Sequence, residues 1–118
     1  MKNENVIKEK TYAFALRMIR AYKYLTAEQK EFVLSKQMLR CGTAIGALVR
    51  ESEFAQSPAD FIHKLSIALK EANETEYWIL LLKDSEYISE TAFQSIHTEC
   101  VEIIKLLTSI INTSKKKY

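Results

Sequence analysis

The sequence predicts an all-α protein, an antiparallel up-down-up-down four-helix bundle that forms a single domain over residues 1–118. Apolar residues recur every three or four positions along most of the chain, which is the spacing of a helix face rather than of a strand. The chain has one proline and two glycines in 118 residues, which is few for the turns that a sheet protein needs. The breaks between the helical segments are short, so consecutive helices are expected to be antiparallel neighbours.

Four apolar stripes predict both the helices and the residues that form the core. Each stripe marks the face that one amphipathic helix buries against the others. The stripes are Ile7, Thr11, Phe14, Met18, Ala21 and Leu25; Leu34, Met38, Cys41, Ile45, Leu48 and Ala55; Phe61, Leu65, Ala68, Ala72, Ile79 and Leu82; and Phe93, Ile96, Cys100, Ile103, Leu107 and Ile111.

The first helix is expected to stop at Thr26, where "TAEQ" fits a capping box. In that motif the Thr26 hydroxyl accepts a hydrogen bond from the backbone of Gln29, whose side chain reaches back. The pattern predicts a second helix from about Ala27 to Ala55.

The third helix begins at a sharper signal, "SPAD". Ser57 is the predicted cap, Pro58 takes the first helical position and Asp60 supports the first turn. The pattern breaks again at "KDSEYIS", and a fourth helix is expected to start near Ser89. The cationic tail "SKKKY", residues 114–118, is expected to fray.

The overall composition excludes some classes of protein and favours no particular function. The net charge of +2 is too small to indicate a nucleic-acid partner, so any such case depends on local clustering. Cys41 and Cys100 lie on apolar stripes, which predicts two reduced core residues. A polar start and the lack of a bilayer-length apolar run predict a cytoplasmic protein without a membrane partner.

The third helix carries a second apolar face, which predicts a homo-oligomer. An aromatic and aliphatic arc with two carboxylates lies away from the core stripe, and this is the chemistry expected at an interface centre. The alternative is that Glu71 and Glu74 pair with arginines of the same chain or lie in solvent. The predicted interface residues are Ile67, Glu71, Glu74, Trp78 and Leu81.

Basic arcs on the first two helices are candidates for binding nucleic acid. Cations on the first arc are interleaved with Tyr24, and repetition of such patches around an oligomer would sum their attraction for phosphates. The alternative is a solvated helix face with no ligand. The candidate residues are Lys10, Arg17 and Arg20 on the first helix and Lys36, Arg40 and Arg50 on the second.

Gly42 and Gly46 stand inside the otherwise strong second helix. Each costs about 1 kcal/mol relative to alanine there, and the cost is offset where another backbone approaches closely. We interpret both as packing residues, with a seam inside the bundle slightly favoured over one between subunits.

No catalytic or metal constellation accompanies these features, so an enzyme and a cofactor are not expected. His63 and His97 are the only histidines, and the Glu-x-x-His pairs of di-metal bundles are missing. Asp60 and His63 form half of such a spacing without a mate. Glu71 and Glu74 lack a nucleophile or phosphate loop beside them.

The stretch from Leu39 to Leu82 resembles a known family, the small four-helix-bundle proteins encoded in intervening sequences of bacterial 23S ribosomal RNA genes. The resemblance rests on Arg40 with "TAIGALVRE" and on the block from Asp60 to "EANETEYWIL". The chain departs from the family at Gly46 and Leu48, where relatives often have alanine or asparagine.

The resemblance implies a bundle that assembles as a homopentamer and has no established enzymatic activity. The family is also similar to the accessory variability protein of diversity-generating retroelements, which binds a reverse transcriptase and nucleic acid through a basic surface. The resemblance therefore implies a non-catalytic oligomer that binds RNA, DNA or a nucleic-acid enzyme. The alternative is a structural protein–protein adaptor whose arginines serve the subunit interface.

Overall fold

Four helices make up the part of the chain that the structure describes. The computed structural model describes the backbone of residues 2–117 and the side chains of residues 4–117, and no strand occurs among them. The helices are α1 (Lys2–Ala27), α2 (Leu34–Ser52), α3 (Pro58–Asp84) and α4 (Glu90–Lys117). The predicted all-α class is confirmed.

The helices pack in cyclic order as an up-down-up-down bundle of 47 × 21 × 19 Å. Each helix contacts the two that are next to it in this order, and α1 and α3 lie on one diagonal while α2 and α4 lie on the other. The side-chain bridges show that neighbouring helices run in opposite directions. Moving along α1 from Lys10 to Arg17, the partner on α4 changes from Glu102 back to Glu99. The same reversal holds between α2 and α3 and between α3 and α4, which is the antiparallel arrangement predicted.

The core is built from the stripes that the sequence predicts, with small shifts. All six predicted residues of α4 are buried, as are Phe14, Met18 and Leu25 of α1. On α2 the inward stripe includes Val49, which the sequence stripe omits, while Ala55 lies beyond the end of the helix.

The predicted capping box at Thr26 is wrong. Thr26 lies inside α1, and its hydroxyl donates to the Tyr22 carbonyl at 2.9 Å. Helix α2 begins at Leu34 rather than Ala27, after a connection over residues 28–33. The local Thr-x-x-Gln pattern does not start a helix, because Thr26 is still part of α1, which ends at Ala27, two residues after the fully buried Leu25.

Glu31 is the residue that starts α2. Its carboxylate accepts hydrogen bonds from the backbone N–H groups of Val33, Leu34 and Ser35 at 3.0, 2.8 and 2.6 Å. These donors have no intrahelical partners, so the carboxylate satisfies them and complements the positive end of the helix. Burial raises the pKa of Glu31, but the three backbone bonds together outweigh it and hold that pKa below its usual value.

Two other predicted boundaries also move. Helix α2 ends at Ser52 rather than at Ala55, since the chain must unwind before Ser57, which is extended (φ −162°, ψ 164°). The tail does not fray over its described part: α4 continues to Lys117 because Ile111 and Ser114 keep its stripe against the bundle. Tyr118 lies outside the described residues.

The predicted starts of α3 and α4 are confirmed. The Ser57 hydroxyl accepts from the Asp60 N–H at 3.0 Å, and the Asp60 carboxylate accepts from the Gln56 N–H at 3.1 Å. At α4 the Ser89 hydroxyl accepts from the Ala92 N–H at 3.1 Å. Both are side-chain caps of the kind that serine favours.

The two glycines lie on the seam between α1 and α2, which confirms the intramolecular interpretation. A methyl group on Gly42 would come within 2.5 Å of Met18 Cγ, and one on Gly46 within 3.2 Å of the Thr11 carbonyl oxygen. The missing side chains therefore let α1 and α2 approach each other closely.

Candidate nucleic-acid interface

Long segments of α1 and α2 contain cations and no carboxylates. Between Lys10 and Ala27, and again between Leu34 and Arg50, the chain has no aspartate or glutamate. We call these two segments the acid-free face. Every acidic residue of the chain lies outside these two segments, so the sequence alone fixes the sign of the charge that the segments carry. Its seven cations are Lys10, Arg17, Arg20, Lys23, Lys36, Arg40 and Arg50.

Three of the predicted cations are neutralised by acids of neighbouring helices. Lys10 Nζ lies 3.0 Å from Glu102 Oε2, and Arg17 Nη1 lies 2.7 Å from Glu99 Oε1, both across the seam with α4. These pairs orient α1 against α4, so Lys10 and Arg17 are partly engaged before any ligand arrives.

Arg40 is the third neutralised cation, and its partners are on α3. Its guanidinium contacts Glu74 Oε2 at 2.5 Å and Glu71 Oε1 at 3.8 Å, and it also donates to the Gln37 side chain. In the structure, Glu71 and Glu74 therefore pair with an arginine of the same chain, as the alternative interpretation of these residues expects.

The other predicted cations are exposed and unpaired. Arg20, Lys36 and Arg50 make no ion pair with any described residue. Lys23 is also exposed and unpaired among the described residues, although the predicted arcs omit it. Its position three residues after Arg20 could have placed it on the same helix face. These four side chains are the part of the acid-free face that is free to meet an anion.

An exposed apolar stripe runs along α1 beside these cations. Tyr12 is 67% exposed, and Leu16 and Ile19 follow it at helical spacing. The three share one outward side of α1, because positions four and three apart lie one above the other. The stripe gives this face an apolar surface as well as its charge.

The five predicted interface residues of α3 are all half-buried within one chain. The Trp78 indole packs against the bundle's own core, and its N–H donates to Glu74 Oε2 at 3.3 Å. Tyr77 and Leu80 are the exposed apolar residues on this helix. The indole is neither wholly buried nor open to water, and the oligomer interface stays a prediction.

Glu71 has one unusual atom. Its Oε2 is buried and accepts no hydrogen bond from any described residue, while Oε1 faces Arg40. A buried carboxylate oxygen without a donor is costly, so this is the least satisfied polar position of the predicted interface.

His97 and the two cysteines occupy structural positions. His97 Nε2 lies 2.8 Å from Glu76 Oε2 and its ring stacks on Phe93. Burial raises the pKa of the Cys41 thiol and raises the pKa of the Cys100 thiol to about 12. No Cα of α2 lies within 8 Å of one of α4, which is too far for a disulfide between these residues.

No group of three or more His, Cys, Asp or Glu residues among the described residues is arranged to hold a metal ion. A cavity of about 830 Å³ lies at the opposite end of the bundle from the α1–α2 connection, between Ile7, Val49, Phe61 and Ile110. The polar side chains at its rim include Ser57 and Glu53, and they form no constellation of acid, base and nucleophile.

Residues 3–109 match the sequence profile described as the 23S rRNA-intervening sequence protein. The chain belongs to this family. The suspected resemblance is thereby confirmed over nearly the whole bundle, well beyond the Leu39–Leu82 stretch on which it rested.

A solved structure agrees with this membership of the 23S rRNA-intervening sequence protein family. The chain is similar to a protein of unknown function from the S23 ribosomal protein family of Bacteroides thetaiotaomicron VPI-5482, with 59% identity and a TM-score of 0.92. The match covers 93% of this chain and 98% of the other. No match was found among curated proteins.

None of the described helices of this family member has the long, nearly uncharged apolar stretch that crossing a bilayer requires.

Proposed function

We propose that the protein is a non-catalytic, oligomeric bundle that binds nucleic acid through the acid-free face of α1 and α2. The observation that carries the proposal is the separation of charge along the chain. Two helical segments have seven cations and no carboxylate, and four of those cations have no ion-pair partner among the described side chains.

The physical argument is counterion release. Cations near a phosphate backbone displace condensed counterions, which gives binding that is favourable at low salt and independent of sequence. A nearby carboxylate would cancel this gain, and the segments of α1 and α2 that carry Arg20, Lys23 and Lys36 contain none. Membership of a family described by a ribosomal RNA intervening sequence is consistent with an RNA ligand.

Assembly would multiply the effect. A single protomer offers four unpaired cations on this face, whereas a ring of five, as the family resemblance implies, would offer the same patch five times. Tyr77, Leu80 and the half-buried Trp78 on α3 supply the apolar surface that a subunit contact needs.

The proposal is tested by titrating labelled RNA into the protein and following fluorescence anisotropy as salt is raised. The triple variant Arg20→Gln, Lys36→Gln, Arg50→Gln removes three unpaired cations from the acid-free face. A charge-matched control removes three exposed, unpaired lysines from elsewhere on the described surface, through the changes K70Q, K105Q and K115Q.

We expect the face variant to weaken binding at about 50 mM salt by at least tenfold and to reduce the salt slope by about 2, because three phosphate contacts are lost. The control should change affinity by much less. Equal losses in the two variants would mean that net charge alone attracts RNA. No binding by the unaltered protein at that salt would overturn the proposal.

A second candidate function is a protein–protein adaptor, and the stripe of Tyr12, Leu16 and Ile19 favours it. An adaptor would dock a partner protein, such as a reverse transcriptase, on this apolar surface, with the arginines at its rim. The variant Leu16→Glu separates the two: it should abolish adaptor docking, whereas it should weaken RNA binding only by the repulsion of one added charge.

Assembly is tested separately by light scattering at micromolar concentration. We expect a mass of several protomers and a shift toward smaller species for Trp78→Ala. A monomeric mass for the unaltered protein would contradict the oligomer while leaving RNA binding testable.

A further inference from the structure

We infer that the end of the bundle where α1 joins α2 is a stacking platform for single-stranded nucleic acid, RNA or DNA, with Phe32 as the principal stacking side chain. The inference rests on the proposed function and assigns it a strand type and a location. Its evidence is a set of exposed aromatic residues that no fold requirement explains, placed among unpaired cations.

Phe32 is held out to solvent on a well-fixed loop. Its side chain is 58% exposed and that of Val33 is more exposed still. The preceding residue, Glu31, is buried and anchors the loop: its carboxylate accepts three hydrogen bonds from backbone N–H groups at the start of α2, and its own N–H donates to the Leu25 carbonyl at 2.9 Å. Phe32 and Val33 are adjacent exposed apolar side chains with cations nearby, and a contiguous apolar patch with a polar rim is typical of an interaction site.

Tyr24 places a second aromatic ring at the same end. It is 46% exposed on the last turns of α1, and its hydroxyl accepts a hydrogen bond from the Gln29 side chain at 2.7 Å. This bond ties the ring to the beginning of the same loop. Two exposed rings therefore flank one connection between helices.

Four cations in or next to the α1–α2 connection are unpaired. They are Arg20, Lys23, Lys30 and Lys36, and none makes an ion pair with a described residue. The exposed carboxylate of this connection is that of Glu28, so cations outnumber exposed carboxylates there. The other exposed carboxylates at this end of the bundle lie in or next to the α3–α4 connection, where two of them pair with a lysine of α3.

Phe54 provides a built-in comparison at the opposite end of the bundle. It is also exposed, at 77%, on the connection from α2 to α3. Its surroundings carry charges of both signs that are mostly paired: Glu51, Asp60 and Lys64 line the same shallow depression, and Lys64 Nζ lies 3.2 Å from Glu51 Oε1. Glu53, which precedes it directly, pairs with a lysine of α1. The chain thus exposes one phenylalanine among unpaired cations and another among ion pairs.

Aromatic rings beside cations fit a single strand better than a duplex. Bases inside a duplex are stacked on each other and offer no free face, whereas unpaired bases stack on aromatic side chains while the backbone lies against cations. A lipid surface would need its cations gathered around the inserted ring, but here the unpaired cations continue along α2 as far as Arg50, at the other end of that helix. A strand lying along the face accounts for both.

The test compares Phe32→Ala with its matched control Phe54→Ala, using fluorescein-labelled oligo-U and oligo-dT of about 15 nucleotides and an RNA duplex of equal length. Both variants replace an exposed ring on a loop, and melting curves check that each remains folded. Phe32→Trp is the rescue variant, since an indole stacks at least as well.

We expect Phe32→Ala to weaken binding of both single strands by at least about fivefold, and Phe54→Ala to leave it unchanged. Duplex affinity should be the same for both variants, and F32W should bind as the unaltered protein does.

Several outcomes would overturn the inference while leaving the proposed function in place. Equal single-strand affinities for the two alanine variants would do so, as would an equal loss on the duplex. Loss of binding to anionic phospholipid vesicles in F32A, with oligonucleotide affinity unchanged, would assign the ring to a membrane instead. Absence of any nucleic-acid binding by the unaltered protein would remove the proposed function as well.

Discussion

The close approach of α1 and α2 can be tested by adding one methyl group at Gly42. In a helix interior, alanine is favoured over glycine by about 1 kcal/mol. A new Cβ at this position would lie 2.5 Å from Met18 Cγ and 2.7 Å from its Sδ. Met18 is fully buried, so the side chain must leave its present rotamer within a packed core.

Forcing an extra methyl into a packed core costs about 1–3 kcal/mol. Set against the propensity gain of about 1 kcal/mol, this gives a net loss of up to about 2 kcal/mol, and we expect about 1 kcal/mol for Gly42→Ala. The sign of the change in stability is informative, because replacing an unobstructed glycine of this helix with alanine would stabilise the protein.

A double-mutant cycle shows whether Met18 is the obstacle. Met18→Ala alone leaves a cavity and should cost about 2–5 kcal/mol. In the double variant the methyl on residue 42 enters space that Met18 has vacated, so the pair should be at least about 1 kcal/mol more stable than the sum of the single changes.

Gly46→Ala is the control for this cycle. Its Cβ would meet the Thr11 carbonyl oxygen at 3.2 Å, which is backbone rather than the Met18 side chain. Truncating Met18 should give it no relief, and its effect should add to that of Met18→Ala.

The assay is urea unfolding followed by helical circular dichroism at one fixed protein concentration, because assembly would make stability depend on concentration. A gain of about 1 kcal/mol for Gly42→Ala, or an additive cycle with Met18→Ala, would refute the seam described above.

Two further predictions concern buried ionisable groups. Glu31→Gln should destabilise the protein by about 1 kcal/mol near neutral pH, because a charged cap is replaced by a neutral one. Since the pKa of Glu31 is lowered on folding, its carboxylate stabilises the protein above its ordinary pKa of about 4.3 and loses that effect as pH falls through the folded value. The difference between the two proteins in urea unfolding should therefore shrink at about pH 3; a constant difference would contradict the capping role. Because burial raises the pKa of Cys100 to about 12 and also raises that of Cys41, a disulfide-based thiol reagent should label neither residue in the native protein at about pH 8, and both in urea. Fast labelling of the native protein would show that the core opens readily.

The sequence determined whatever depends on neighbours along the chain. Helical stripes follow from spacing alone, and the start of α3 follows from Ser57, Pro58 and Asp60 because a cap is a contact over three residues. The same local reasoning failed at Thr26, which is still part of α1 and whose hydroxyl donates to the Tyr22 carbonyl, and the cap of α2 is the carboxylate of Glu31 instead.

Only the tertiary structure decided which charges are free. Along the sequence Lys10, Arg17 and Arg20 are equivalent members of one arc, but folding brings the first two against carboxylates about 80 to 90 positions away and leaves Arg20 without a partner. The sequence could show that Gly42 and Gly46 invite a close neighbour, and only the fold could show that it is Met18 and Thr11 of the same chain. The reason is common to both cases: helix periodicity is a property of consecutive residues, whereas the partner across a seam is set by how four helices align side by side.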